Sequence, residues 1–154
     1  MISLNITDVK KTMDELLKGN LFDEFELRTA EVHTFAKFQI QGNLNKAFLT
    51  EDEKDLYERN FVLWKEIKSH IFNIIKGKKP PTYLKIVFSA AIDKIPDFAS
   101  FDISALFINL IYSQGKLSCT NGIAFENFSL DKTIEQEWDQ YVRDFFKKAN
   151  IYVE

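Results

Sequence analysis

A chain of 154 residues with a formal net charge of −3 is near the usual size of one domain, and folding at that length buries roughly 70% of the surface the unfolded chain exposes. Hydrophobic residues at 45%, with fifteen Phe and two Trp, exclude the low-hydrophobicity signature of disorder, and five Gly with three Pro leave little material for a flexible linker. The single Cys excludes an intrachain disulfide and a Cys cluster for zinc, and it agrees with a reducing compartment.

These limits predict one domain over residues 1–154 with one hydrophobic core. The N-terminus MISLNITDVKKTMDELL has no basic start followed by an uninterrupted apolar region, and no segment approaches the ~20 apolar residues of a membrane span. The expectation is a cytoplasmic protein without a membrane partner.

The first helical signal is TDVKKTMDELLKGN. Val9, Met13, Leu16 and Leu17 fall on one face, Thr7 or Asn5 can cap the start, and Gly19 suits a left-handed position past the end. From Phe22 to Ile40 the period becomes strand-like, with Phe25 and Leu27 against Glu24, Glu26 and Arg28, then Phe38 and Ile40 against Lys37 and Gln39. Two antiparallel strands ending near Gly42 are predicted.

A helix start follows at TEDEKDLYERN, where Thr50 and Glu53 can form a capping box and the acidic first turn suits the positive end of the helix dipole. Trp64, Ile67, Ile71, Ile74 and Ile75 then repeat at helical spacing up to Gly77, as one long helix or two pieces broken near Asn60. TYLKIVFSAAI reads as a strand, and ISALFINLIYS as another that is apolar on both faces, as a central strand would be. Gln114-Gly115 separates it from KLSCT. Asn121-Gly122 separates KLSCT from IAFENFSL, a strong hairpin signal because a type I′ turn needs positive φ at both central positions. In the last helix, after Asp131 as cap, Ile134, Trp138, Tyr141, Val142 and Phe145 share one face with Phe146 at its border. The tail IYVE is apolar enough either to add an edge strand or to fray.

Few groupings suggest chemistry. Cys119 falls inside a short strand on the same face as Leu117, where a thiol serves as filler, whereas a nucleophile needs a base or a helix N-terminus to lower its pKa. The candidate bases are His33, on the exposed side of an early strand, and His70, at the edge of the apolar arc of the middle helix; no motif brings either to Cys119. Glu31 and His33 could share a metal, but no third ligand is indicated, and a solvated strand face explains them. Glu51, Asp52, Glu53 and Asp55 lack the Gly and ligand spacing of a calcium loop. Lys76, Lys78 and Lys79 of KGKKPP could grip phosphates, but they complement the dipole at a helix C-terminus, with Gly77 ending the helix and Pro80-Pro81 preventing it from resuming. Phosphate-loop, dinucleotide, Ser-elbow and zinc-protease signatures are absent from the sequence.

The phrases ITDVKKTM, GNLNKAF, IKGKKPPTYLKIVF and LFINLIYSQGKLSCTNG together resemble an uncharacterised family of small proteins from clostridia-like bacteria, a domain of unknown function, over nearly the full chain. The resemblance implies a bacterial cytoplasmic protein without an assigned role and transfers no catalytic residue.

The expected fold is α+β: a mostly antiparallel sheet with about three helices packed on one face. A rival layout divides the chain near Pro80 into two strand-then-helix halves, like small sheet-based nucleic-acid binders. The expected function is a non-enzymatic cytoplasmic binding or protein-interaction module; the sequence does not specify its ligand or partner, and a protein partner and a second copy are both left open. The alternative is a small-molecule binder or enzyme whose site gathers scattered polar residues. No catalytic, cofactor-binding or metal residue is assigned, no cofactor is expected, and nucleic acid is not expected as a partner.

Overall fold

The computed structural model describes residues 1–90, 102–127 and 132–154, without the side chains of residues 54, 55 and 57. The expected cap Asp131, the carboxylate of Asp55, residues 128–130 of IAFENFSL and residues 91–92 of TYLKIVFSAAI lie outside the described residues.

The chain begins with a strand, β1 (Ser3–Ile6), whose Leu4 and Ile6 are buried. Helix α1 (Val9–Leu17) follows, capped by Asp8, whose carboxylate accepts from the Lys11 amide at 3.2 Å. Neither Thr7 nor Asn5 caps it, because β1 pairing places Asn5 in the sheet opposite Ser118. Gly19 also departs from expectation: the helix closes with the Lys18 and Gly19 amides both on the Asp14 carbonyl, without a left-handed residue at Gly19.

Strands β2 (Glu26–His33) and β3 (Lys37–Gln41) form the predicted hairpin. The middle region is broken, as one of its two readings had it: a 3₁₀ segment at Glu51–Glu58 precedes helix α2 (Trp64–Ile75). At the first start, Glu53 reaches back to the Thr50 amide at 3.0 Å, the carboxylate half of the predicted box. Strands β4 (Tyr83–Ala90), β5 (Ile103–Ser113) and β6 (Lys116–Phe125) and helix α3 (Thr133–Lys148) complete the order.

The six strands form one antiparallel sheet in the order β1-β6-β5-β4-β2-β3. The Gln114-Gly115 turn is left-handed at both residues, with φ of 52° and 75°, as a type I′ hairpin requires. Asn121-Gly122 is no turn. Strand β6 runs straight through it, pairing Asn121 with Ile108 and Gly122 with Phe107. The dipeptide's turn preference is overridden by the ladder that β5 offers along the whole length of β6. At the far edge the tail pairs with β1: the Asn5 and Glu154 amides each donate to the other's carbonyl, at 3.1 and 2.9 Å, and Ile6 bridges Val153.

Helices α1, α2 and α3 pack on one face of the sheet, where Phe22 joins Phe25, Phe88, Phe145 and Phe146 with ring centroids 5.3–6.5 Å apart. Trp64 stands edge-on to Phe88 and its indole N–H donates to the Leu16 carbonyl at 2.7 Å, which ties α2 to α1. In α3 the buried residues are Ile134, Trp138, Val142 and Phe146, so the stripe is centred nearer Phe146 than expected. Phe145 lies at its flank, still packed on Phe22 and Phe25, and Tyr141 is 36% exposed.

Candidate functional site

The face of the sheet opposite the helices is built from four cross-strand rows, set by the register. Glu26, Ser89, Phe107 and Gly122 form one; Thr29, Val87, Asn109, Thr120 and Ser3 the next; then Glu31, Lys85, Ile111, Ser118 and Asn5; and last His33, Tyr83, Ser113 and Lys116. Neighbouring strands lie ~4.8 Å apart, so each row is a near-continuous line of side chains. Apart from the buried Ser89 and the exposed Ser3, Asn5 and Lys116, these residues are half-buried.

At the first row strand β2 carries a bulge. Leu27 pairs with Phe88 and Thr29 with Val87, leaving Arg28 without an opposite residue of its own. A bulge bends the strand and re-aims the side chain at that point. The sequence carries its trace, since the buried positions go from Leu27 to Ala30 and then Val32, a slip of one residue in the alternation. The alternating pattern over Phe25 to Arg28 gave no sign of it, because the slip begins only after Arg28.

The surroundings of Arg28 are held by backbone. The Gly42 amide donates to the Arg28 carbonyl at 2.9 Å, the Val62 amide to the Gly42 carbonyl at 2.8 Å, and the Leu27 amide to the Val62 carbonyl at 2.9 Å. The chain at Phe61 to Leu63 thereby extends the sheet edge beside the bulge, and it delivers Phe61 to Arg28. The guanidinium carbon lies 3.9 Å from the centroid of the Phe61 ring and 5.3 Å from that of Phe107. Its Nε–H donates to Ser89 Oγ at 2.9 Å, and Ser89 is buried. Phe61 is braced in turn by Arg59, whose Nη1 reaches the Phe61 carbonyl at 3.4 Å while a forked pair joins Arg59 to Glu66 at 2.8 and 3.0 Å. That pair holds the Glu66 carboxyl below the usual carboxylate range, with the Arg59 hydrogen bond as the leading cause, and Glu26 adds its charge to the field on Arg59. Among the described residues, no carboxylate pairs with Arg28 and no group accepts from its two Nη nitrogens.

Elsewhere on this face Asn109 Nδ2 donates to Thr120 Oγ1 at 3.1 Å. Glu31 and His33, predicted as a solvated strand face, are 3.0 Å apart at Oε1 and Nε2, and the His33 ring packs on Tyr83 at 4.9 Å. Among the described residues, no group of three or more His, Cys, Asp or Glu could hold a metal ion.

Cys119 lies on the opposite, core side with Leu117, fully buried, and burial pushes its thiol up to about 12. Three strand positions and the thickness of the sheet separate it from His33. His70 is exposed on α2. Glu51 and Asp52 are exposed as well. Lys76 caps α2 through its amide, Gly77 follows with a φ of 148°, and Lys78, Lys79 and Pro80 are exposed while Pro81 is buried.

A small cleft lies between α3 and the end of β6, lined by Met1, Asn121, Gly122, Glu135, Trp138 and Asp139 and enclosing about 20 Å³. That is room for about one water molecule. Its polar groups are already engaged: Asn121 Oδ1 accepts from the Ile2 amide at 2.9 Å and Nδ2 donates to Asp139 at 2.8 Å. The cleft is a joint between the N-terminal strand, β6 and α3.

Residues 15–154 match the Family of unknown function DUF5721. The chain belongs to this family. DUF5721 has no assigned activity, in keeping with the uncharacterised family that the sequence phrases resembled. No curated protein and no solved structure matches the chain.

Proposed function

We propose that this protein is a non-enzymatic binding module whose ligand surface is the open face of the sheet around Arg28. The observation that carries the reading is a guanidinium set against two aromatic rings, held by a buried serine, with both Nη nitrogens unused by the described residues. Such a group is pre-organised, so a ligand that meets it does not have to order it first. The buried Cys119, with its raised pKa, supports a non-enzymatic role because a thiol held protonated is a poor nucleophile.

We also propose a bacterial, cytoplasmic setting and a protein partner or second copy as the macromolecular context. The single free cysteine and the resemblance of the sequence phrases to a clostridia-like family support the setting. No described helix is long and apolar enough to cross a membrane. Fractionation of the producing cells checks it, and recovery in the culture supernatant would overturn the cytoplasmic assignment.

The surface is tested by amide NMR spectra recorded against a panel of small organic acids, amines, sugars and nucleotides. Responding amides should lie in the rows containing Ser89, Val87 and Lys85. A response confined to the helical side would remove the open face from consideration. The Glu31–His33 pair beside Tyr83 favours a second reading, an enzyme of scattered polar residues. Turnover of p-nitrophenyl acetate or p-nitrophenyl phosphate that disappears in His33→Ala would establish that reading instead.

A further inference from the structure

We infer that Arg28 receives the carboxylate of a small organic monoanion, whose apolar body lies along Phe107 and Val87. The inference rests on the open face as the binding surface and names the chemistry of its ligand.

Three features converge on it. A guanidinium presents a rigid fork that matches two coplanar oxygens, and with Nε committed to Ser89 the two Nη nitrogens, unused by the described residues, remain for an end-on pair of hydrogen bonds. Stacking on Phe61 and Phe107 fixes the plane of the fork and lowers the water contact on its faces, which strengthens a charged hydrogen bond. The row beyond is apolar at the right place: Phe107 is flanked by Val87 in the next row, while Gly122 has no side chain and a Cβ there would meet nothing within 4 Å. A flat or short apolar group continuing from the carboxylate has a floor and an open side.

Charge selects a monoanion. Phosphate sites gather several cations, backbone amides or a helix N-terminus around a dianion. Here one guanidinium, unpaired among the described residues, stands on a surface shared with Glu26, in a chain of net charge −3, and Lys85 lies two rows away. One charge balances one carboxylate.

The test is an amide and arginine Nε NMR titration of the full chain with sodium acetate, sodium benzoate and inorganic phosphate at constant ionic strength, using chloride as the reference. The expected result is saturable shifts at Arg28 Nε and at the Thr29, Val87 and Phe107 amides, with benzoate binding more tightly than acetate and phosphate more weakly than either. Arg28→Lys keeps the charge but loses the fork, and it should lower benzoate affinity about tenfold with the rest of the spectrum unchanged. Phe107→Leu should lower the affinity for benzoate more than that for acetate, bringing the two together, and it serves as a second probe if Arg28→Lys perturbs the fold.

Benzoate shifts on the same amides that are unaffected by Arg28→Lys would leave the open face as the binding surface and overturn the carboxylate assignment. Tighter binding of phosphate, or shifts centred on Lys76, Lys78 and Lys79, would also overturn it. If the three anions leave every open-face amide unmoved while another class in the wider panel moves them, the carboxylate inference fails alone. If nothing in either series moves them, the surface reading fails with it.

Discussion

At Gly42 the constraint is space. An ideal Cβ there would sit 1.7 Å from the Leu27 carbonyl oxygen, closer than any non-bonded contact allows, so the backbone beside the bulge would have to move. Gly42→Ala should therefore disrupt the hydrogen bonds that link Gly42 with Arg28 and Val62, at a cost of about 3 kcal/mol or more, read as a drop in the urea midpoint. Arg28 should lose its Phe61 platform in the same variant. Asn121 and Gly122 make the opposite contrast. Asn121 is buried and joins the Ile2 amide to Asp139, so Asn121→Ala should cost about 1–3 kcal/mol by stranding those partners. Gly122 lies in a strand without positive φ and with open space beyond its Cα, so Gly122→Val should change stability by less than about 0.5 kcal/mol. Chemical denaturation of the two variants side by side decides the point: a large loss at Gly122 with none at Asn121 would reinstate a turn.

At the level of elements, α3 is the longest helix described and its stripe is core. Trp138 is 1% exposed and its indole N–H reaches the Phe107 carbonyl at 3.2 Å, passing from the helix to the strand that carries the aromatic floor of the open face. Trp138→Ala and Phe146→Ala should each cost about 3–5 kcal/mol in thermal or chemical unfolding, through lost burial and a residual cavity. Phe145→Ala should cost less than Phe146→Ala, since Phe145 is only partly buried. An unchanged melting curve for Trp138→Ala would mean that α3 docks outward. The same helix holds the N-terminal strand through Asp139, whose carboxylate lies 3.7 Å from the Met1 ammonium. That exposed contact contributes little by itself, and the Asn121 hydrogen bonds do most of the joining.

For the whole molecule, the acid limb of stability should report the Arg59–Glu66 pair behind Phe61. The Glu66 carboxyl is depressed in the folded protein by the Arg59 hydrogen bond, with the Leu63 amide and the Arg59 and Lys65 charges assisting against the cost of burial. A group depressed on folding contributes stability that is fully present above its unfolded pKa and is lost as the pH falls through its folded value. Wild type should thus weaken below about pH 5, and Glu66→Gln should be less stable at pH 7 by up to about 1 kcal/mol while losing less on acidification. Urea midpoints measured from neutral to acid pH check it; parallel curves for the two proteins would show that the pair contributes nothing. Glu53 is depressed too, by the Thr50 amide and hydroxyl, and it is a local cap.

Local signals carried far in this chain because its elements are strongly periodic. The spacing of Val9, Met13 and Leu16, the alternation across Phe38 to Ile40, the Gln114-Gly115 turn and the helical stripe from Ile134 each depend on residues close in sequence, and each formed where predicted. Strand β1 was missed because four residues next to a helix cap carry too short a pattern, and only β6 on one side and the C-terminal tail on the other make it a strand. The Asn-Gly pair misled for the same kind of reason: a local turn preference yields to a full ladder with β5. Amino-acid order by itself determined the α+β class, the buried thiol and most helices and strands, since those follow from hydrophobic periodicity and capping. Tertiary structure alone decided the strand order and the site at Arg28. That site joins Arg28, Phe61, Ser89 and Phe107 from four segments, and no short-range pattern encodes which segments a bulge and a close glycine contact will bring together.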